Sequence, residues 1–151
     1  MGVFFVVLKV VGGLAGVTMV FASGKYGIRW PHIVSFLCIF FGVLTLHTTQ
    51  SVLGYAVGTW IWEYGFSLGV SYQFAALARL DTSKRLLLLV PSCIGLAGMI
   101  GPALAGYLKD GESYSNIYMF AVVFSLIPTI IFLTIISKGR VASFSEKEWV
   151  K

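Results

Sequence analysis

Long apolar runs, parted only by short polar links, set the first limit on how this chain can fold. A membrane-spanning helix needs roughly 20 mainly apolar residues. Five windows meet that need: residues 3–22, 32–49, 52–78, 86–108 and 117–137. The third is long enough to cross at a tilt. Residues 138–151 form a polar tail. A soluble domain of this length keeps too much surface per unit volume to hide so many apolar side chains in one core. Composition agrees: 58% of residues are hydrophobic and 11% are charged, where a soluble domain carries about 25% charged residues. Mean hydropathy is +0.89. The expected fold is all-α, a polytopic membrane bundle of about five transmembrane helices whose solvent is lipid.

The N-terminal run lacks the basic start of a secretory signal. Its early charge, Lys9, lies within the apolar stretch, so the run reads as the first span. Residues 23–31 link the first and second windows, and Pro31 suits the first turn of the helix that follows. Residues 79–85 link the third and fourth, with Thr82 or Ser83 as a helix cap. Residues 109–113 precede the fifth, with Asp110-Gly111 as the turn signal. None of these links has room for a soluble domain. Cys38 and Cys93 fall inside apolar runs, away from other ligand residues. They read as small buried hydrophobes rather than a disulfide or metal site.

A net charge of +5 could suggest nucleic acid on a soluble protein. Here the basic residues sit between apolar runs, so no nucleic-acid partner is expected and the charges set topology instead. Lys25 and Arg29 flank the first link, and Arg79, Lys84 and Arg85 flank the third. Lys138, Arg140, Lys147 and Lys151 lie in the tail. Lys109 alone among the loop and tail Lys/Arg belongs to the other side, beside Asp110 and Glu112. Basic clusters on alternate links predict that this side, and with it the C-terminal tail, is cytoplasmic. A plasma or inner membrane is the expected location. Trp30, Tyr107 and Tyr114 stand near predicted helix ends, where interfacial aromatics belong.

The windows differ in what they offer one another. The second and fifth are nearly uniformly apolar and are expected at the periphery. The others carry small residues four apart: Gly12 and Gly16, Gly54 and Gly58, Gly65 and Gly69, and Ala97, Gly101 and Ala105. That spacing puts them on one helix face, where backbones approach closely. Pro91, Pro102 and Pro128 remove backbone hydrogen bonds from their helices. Pro102 directly follows Gly101, which makes that pair the expected weak point of the fourth helix, and neighbouring helices or a wet cavity are expected beside it.

Glu63 is the acidic residue deep in a predicted span. A carboxylate left in hydrocarbon costs about 3 kcal/mol or more on insertion scales, so it must be protonated or face a partner or water. Thr59, Glu63, Ser67 and Ser71 stand four apart and form one polar stripe, with Trp60, Trp62, Tyr64 and Tyr72 around it and Gln73 near its end. Three readings follow: the lining of a substrate cavity, a carboxyl that exchanges a proton, or a purely structural hydrogen-bonded group. Lys9 either snorkels to the interface, contacts an anionic solute or partners Glu63. No Ser/His/Asp set, metal-ligand spacing or phosphate-cradling loop appears. The chain is not expected to be an enzyme or to need a cofactor or metal.

These residues resemble the C-terminal part of a major facilitator superfamily transporter, its last five helices of twelve. Gly24-Lys25-Tyr26-Gly27-Ile28-Arg29 is similar to the family's cytoplasmic loop motif of Asp-Arg-x-Gly-Arg-Arg type, with Gly24 where the acidic residue is expected. Gly98 to Gly106, around Gly101-Pro102, resembles the family's Gly-Pro helix, and the charge alternation fits. The resemblance implies that the first, third and fourth helices line a central cavity. It also implies alternating access by two rocking halves. The expected function is transmembrane transport of a small solute, with a proton as candidate co-substrate. Thr59, Glu63, Ser67 and Ser71 would be cavity residues, Gly24, Lys25, Gly27 and Arg29 the loop motif, and Gly101 and Pro102 the hinge. Five helices cannot supply a two-sided gate. The chain is therefore expected to be a partial transporter, or to assemble with a missing half or another membrane chain. The alternative is a non-transporting membrane subunit or scaffold.

Overall fold

A computed structural model describes residues 2–26, 29–80, 85–109, 111 and 113–137. Five helices account for nearly all of them: α1 (Gly2–Tyr26), α2 (Arg29–Thr48), α3 (Val52–Leu80), α4 (Arg85–Leu108) and α5 (Ser115–Ser137). Each coincides with one apolar window to within a few residues. Gly27, residues 81–84 with their proposed caps, Asp110, Glu112 and the tail from 138 lie outside the described residues. So do the side chains at 23–26, 29, 79–80 and 135–137.

Local chemistry explains the helix ends. Pro31 sits in the first turn of α2, where its missing N–H costs nothing. Ser51 caps α3, its Oγ accepting a hydrogen bond from the Gly54 N–H at 3.0 Å, which satisfies one of the donors that a helix start leaves open. Gly111 adopts the left-handed conformation at φ 55°, the conformation that the Asp-Gly turn signal calls for. Beyond it, the Lys109 ammonium lies 5.1 Å from the centre of the Tyr114 ring.

Among the described residues, four helices are long and apolar enough to cross a membrane, over Gly2–Ala22, Trp30–Thr48, Arg85–Leu108 and Ser115–Thr134. α3 is longer, at 29 residues, but its polar stripe keeps it below that apolar standard. It packs along both α1 and α2, so where they cross it crosses with them. The pairings fix the directions. Gly42 meets Gly58 and Trp62, while Ser35 meets Gly65 and Gly69, so α2 and α3 are antiparallel. Phe4 stacks near Tyr55 and Trp60, Gly12 meets Glu63 and Ser67, and Ala15 packs with Leu68 and Tyr72, so α1 and α3 are parallel. His32 packs against Phe132 and His47 meets Tyr118 edge to face, so α5 runs antiparallel to α2.

The interior is small. Ala15, Val43, Ala56, Leu68, Tyr72 and Ala76 are its buried hydrophobic residues. Val3, Phe21, Leu88, Met99 and Met119 are all more than two-thirds exposed. In water this distribution would be unfavourable over the whole surface. In lipid it costs nothing, and helix association falls to close packing and interhelical hydrogen bonds. The fold is an all-α helical bundle with its apolar surface outward, as a membrane-embedded protein requires.

Two expectations about placement fail. α2 is not peripheral: it forms the closest seam of the bundle, against α3. A Cβ at Gly42 would lie 2.7 Å from the Trp62 amide nitrogen, and one at Gly65 2.8 Å from the Ser35 carbonyl oxygen. The Ser35 hydroxyl donates to the Gly65 carbonyl at 2.6 Å. Small residues on an otherwise greasy helix outweigh its mean hydropathy, because contact distance decides packing in lipid. α4 is not central: none of its residues is buried, and Gly95, Gly98, Gly101 and Gly106 have no atom within 4 Å of where a Cβ would stand. Among the described residues, the Gly101-Pro102 step and Ala97 are exposed and Ala105 is half-buried, so the stripe forms no close seam. Cys93, expected to be buried, is exposed on the same helix.

Candidate functional site

The polar stripe of α3 forms a seam with α1. A turn of helix separates Glu63 from Ser67, so both face the same neighbour, and that neighbour is Gly12. A Cβ there would lie 3.1 Å from Glu63 Oε1 and 3.1 Å from Ser67 Oγ. The glycine admits both polar groups at close range, which a larger residue would block. Three residues earlier on α1, the Lys9 ammonium reaches Glu63 Oε1 at 3.6 Å. Of the readings open for Lys9, the structure shows the ion-pair partner. The pair is lopsided: the Glu63 side chain is 13% exposed and the Lys9 side chain 78%. Lys9 thus meets the carboxylate from the rim of the seam.

The rest of the stripe is satisfied locally. The Thr59 hydroxyl donates to the Tyr55 carbonyl at 2.7 Å and the Ser71 hydroxyl to the Ser67 carbonyl at 2.7 Å. Such bonds to the preceding turn let hydroxyls sit in an apolar medium without a second helix. The structure thus brings Glu63 and Ser67 together with Lys9 and Gly12, while Thr59 and Ser71 extend the same stripe above and below. The aromatic residues do not wall it. Trp62 stacks on Phe66 with ring centres 5.4 Å apart and backs onto Gly42. Trp60 stacks near Phe4 at 6.3 Å, and Tyr72 enters the core.

The larger cavity lies one step around α3 from this seam. It has a volume of about 450 Å³. α1 contributes Thr18 and Ala22, α2 contributes Trp30, Pro31 and Val34, and α3 contributes Tyr64, Leu68 and Tyr72. Of its three hydroxyls, those of Thr18 and Tyr64 are engaged and that of Tyr72 has no partner. The Tyr64 hydroxyl donates to Thr18 Oγ1 at 3.0 Å, and the Thr18 hydroxyl donates to the Leu14 carbonyl at 2.8 Å. A second cavity of about 260 Å³ separates α2 from α5 beside His47 and Tyr118. Glu63, Ser67, Thr59 and Ser71 line neither.

Sequence reasoning missed His32 and underrated Ser35. His32 is buried against Phe132, ring centres 4.3 Å apart, and neither of its ring nitrogens has a hydrogen-bond partner. The Tyr72 hydroxyl and the Trp60 N–H are likewise buried without one. The signal for Ser35 was available: it stands seven residues before Gly42, two helical turns along one face. Of the loop motif, Gly24, Lys25 and Arg29 belong to the ends of α1 and α2 with side chains outside the described set, and Gly27 lies outside the described residues. No family model matches the chain, and neither a curated protein nor a solved structure is significantly similar to it.

Proposed function

We propose that this chain is the membrane-embedded helical part of a small-solute transporter, one that works within a larger assembly and uses the Glu63–Lys9 pair as its exchangeable polar element. The observation that carries the reading is the pair itself: a carboxylate and an ammonium 3.6 Å apart on facing helices, at the depth where charged groups are expensive and are kept for transport paths and relays. A proton on Glu63 would release Lys9, and an anionic solute group would compete for it. Either exchange biases α1 against α3, which is the kind of differential contact that moving helices need. Gly12 lets the two helices slide past the charges at close range. The basic links support a cytoplasmic location for the Lys25 and Arg29 end of the bundle, with the C-terminal tail on the same side. The likeness to the major facilitator superfamily rests on the loop and Gly-Pro motifs quoted above and belongs to this same proposal.

The test is uptake by proteoliposomes carrying the chain together with the membrane proteins that co-purify with it, across a panel of radiolabelled sugars, amino acids, carboxylates and nucleosides, with and without a pH gradient. The expected result is gradient-driven uptake of at least one class, lost in Glu63→Gln while yield and elution volume stay unchanged. Uptake no greater than in empty liposomes for every class, or pH-dependent uptake that Glu63→Gln leaves intact, removes the proton-coupled reading.

The bare surface of α4 favours a second reading, a non-transporting subunit that lends its helices to a larger membrane protein. That reading expects a stoichiometric complex after crosslinking in the native membrane, and a complex that survives Glu63→Ala unchanged.

A further inference from the structure

We propose that the outward flank of α1 around Lys9 docks a transmembrane helix of a different protein, one that carries a carboxylate at the middle of the bilayer. The inference rests on the proposal that the chain works within a larger assembly, and it names where that assembly meets α1. It begins from the level at which Lys9 is held. The ammonium lies 3.6 Å from Glu63 Oε1, and that oxygen stands against Gly12, midway along the Gly2–Ala22 span. The contact therefore turns the ammonium to mid-span rather than along the helix to the headgroups. An ammonium has three protons to donate. At 3.6 Å the contact with Glu63 is an ion pair longer than a hydrogen bond, and the Lys9 side chain is 78% exposed. Most of this cation thus faces outward, at the depth where charged groups are costly unless paired.

The surface around Lys9 suits a helix. Gly13 and Gly16 follow Lys9 by four and seven residues, on the same face of α1. Neither has an atom within 4 Å of where a Cβ would stand, so a second backbone can come close there. Val6 and Val20 continue the face, both exposed. Acyl chains offer the ammonium no acceptor, whereas a facing helix can bring one, and charge complementarity makes it Asp or Glu. That acid must come from another protein. Apart from Glu63, the acidic residues of this chain are Asp81, Asp110, Glu112, Glu146 and Glu148, all in links or tail. A second copy meeting this face about a twofold axis would set Lys9 against Lys9, and the like charges oppose that pairing.

The test uses the whole chain in its native membrane. The photocrosslinking residue p-benzoylphenylalanine is placed singly at Phe5 or Val17, which flank the Lys9 face, and at Met99 on α4 for comparison. Phe5 and Val17 should each form an adduct with one protein other than this chain. Sequencing of the crosslinked peptides should find Asp or Glu in an apolar helix between the two attachment points, since Phe5 and Val17 bracket the level of Lys9. Lys9→Leu with Glu63→Leu removes both charges and leaves no unpaired ion in the chain. It should cut the adduct yield at least about tenfold, because the partner's carboxylate then stands unpaired at a cost above that factor. Lys9→Glu with Glu63→Lys keeps the internal pair but turns a carboxylate outward. It should lose the adduct, and regain it when the partner's acid is changed to Lys. Adducts with lipid alone, adducts with a second copy, a partner helix without an acid between the attachment points, or a yield undiminished in both double variants overturns the proposal. Adducts from Met99 alone overturn it and leave the larger assembly standing, whereas no protein adduct from any of the three positions removes both. The identity of the adduct from Phe5 and Val17 decides the matter even where a double variant fails to fold.

Discussion

A methyl group added at Gly65 would stand 2.7 Å from Cys38 Cβ and 2.9 Å from the Ile39 amide nitrogen. One of those neighbours is backbone and cannot step aside. Gly65→Ala should therefore lower stability by about 1–3 kcal/mol, the usual range for overpacking. Gly101→Ala, with nothing within 4 Å, should change it by no more than about 0.5 kcal/mol. Thermal unfolding in a common detergent, followed by circular dichroism, compares the two directly. Equal losses would mean that α4 is packed as tightly as α3. The Glu63–Lys9 pair makes a second residue-scale prediction. Lys9→Leu leaves a mostly buried carboxylate without its cation, and Glu63→Leu removes the carboxylate. The double variant should be more stable than the sum of the single effects by about 1 kcal/mol, and strict additivity would show the contact to be incidental. At this scale the sequence was readable where chemistry was extreme. A carboxylate in a greasy run announces itself by its solvation cost, whereas His32 gave no warning because an imidazole near a helix end is unremarkable until Phe132 is seen against it.

At the scale of elements, helix number and extent were legible from the apolar runs, since hydrogen-bond satisfaction in lipid leaves an isolated span little choice but to be a helix. The order of packing was not. α2 looked like a lipid-facing helix on mean hydropathy, yet Ser35 and Gly42 give it the tightest seam in the bundle. α4 has the longest stripe of small residues and makes the least use of it here. Hydropathy measures preference for lipid, and every face of every span shares that preference, so it cannot rank faces. The α2–α3 register is testable. A Cβ at Gly69 would lie 3.5 Å from Ser35 Cβ, at the near edge of the separation that a disulfide takes, about 3.5–4.5 Å. Ser35→Cys with Gly69→Cys, in a Cys38→Ala, Cys93→Ala background, should crosslink within the chain under mild oxidation. Gly12→Cys with Gly101→Cys should not. The reverse outcome would favour the arrangement expected from the family resemblance, in which the first, third and fourth helices line one cavity.

For the molecule as a whole, the decisive property is its inverted distribution of apolar surface. Composition already required a lipid solvent. What composition could not supply is which surface meets that lipid, because this depends on the pairings of α1, α2, α3 and α5 and on the exposure of α4, none of whose residues is buried. That exposure makes assembly with further helices part of the functional proposal. Spin labels read the distribution directly through their collisions with oxygen, which dissolves in lipid, and with a water-soluble nickel chelate. Labels introduced singly at Val17, Met99, Met119 and Ile130 in nanodiscs should collide often with oxygen and rarely with nickel, while a label at Ala15, buried at 0% exposure, should meet neither. Frequent nickel collisions at those four outward positions, or an Ala15 label as open to oxygen as they are, would contradict a bundle whose apolar exterior is immersed in a bilayer.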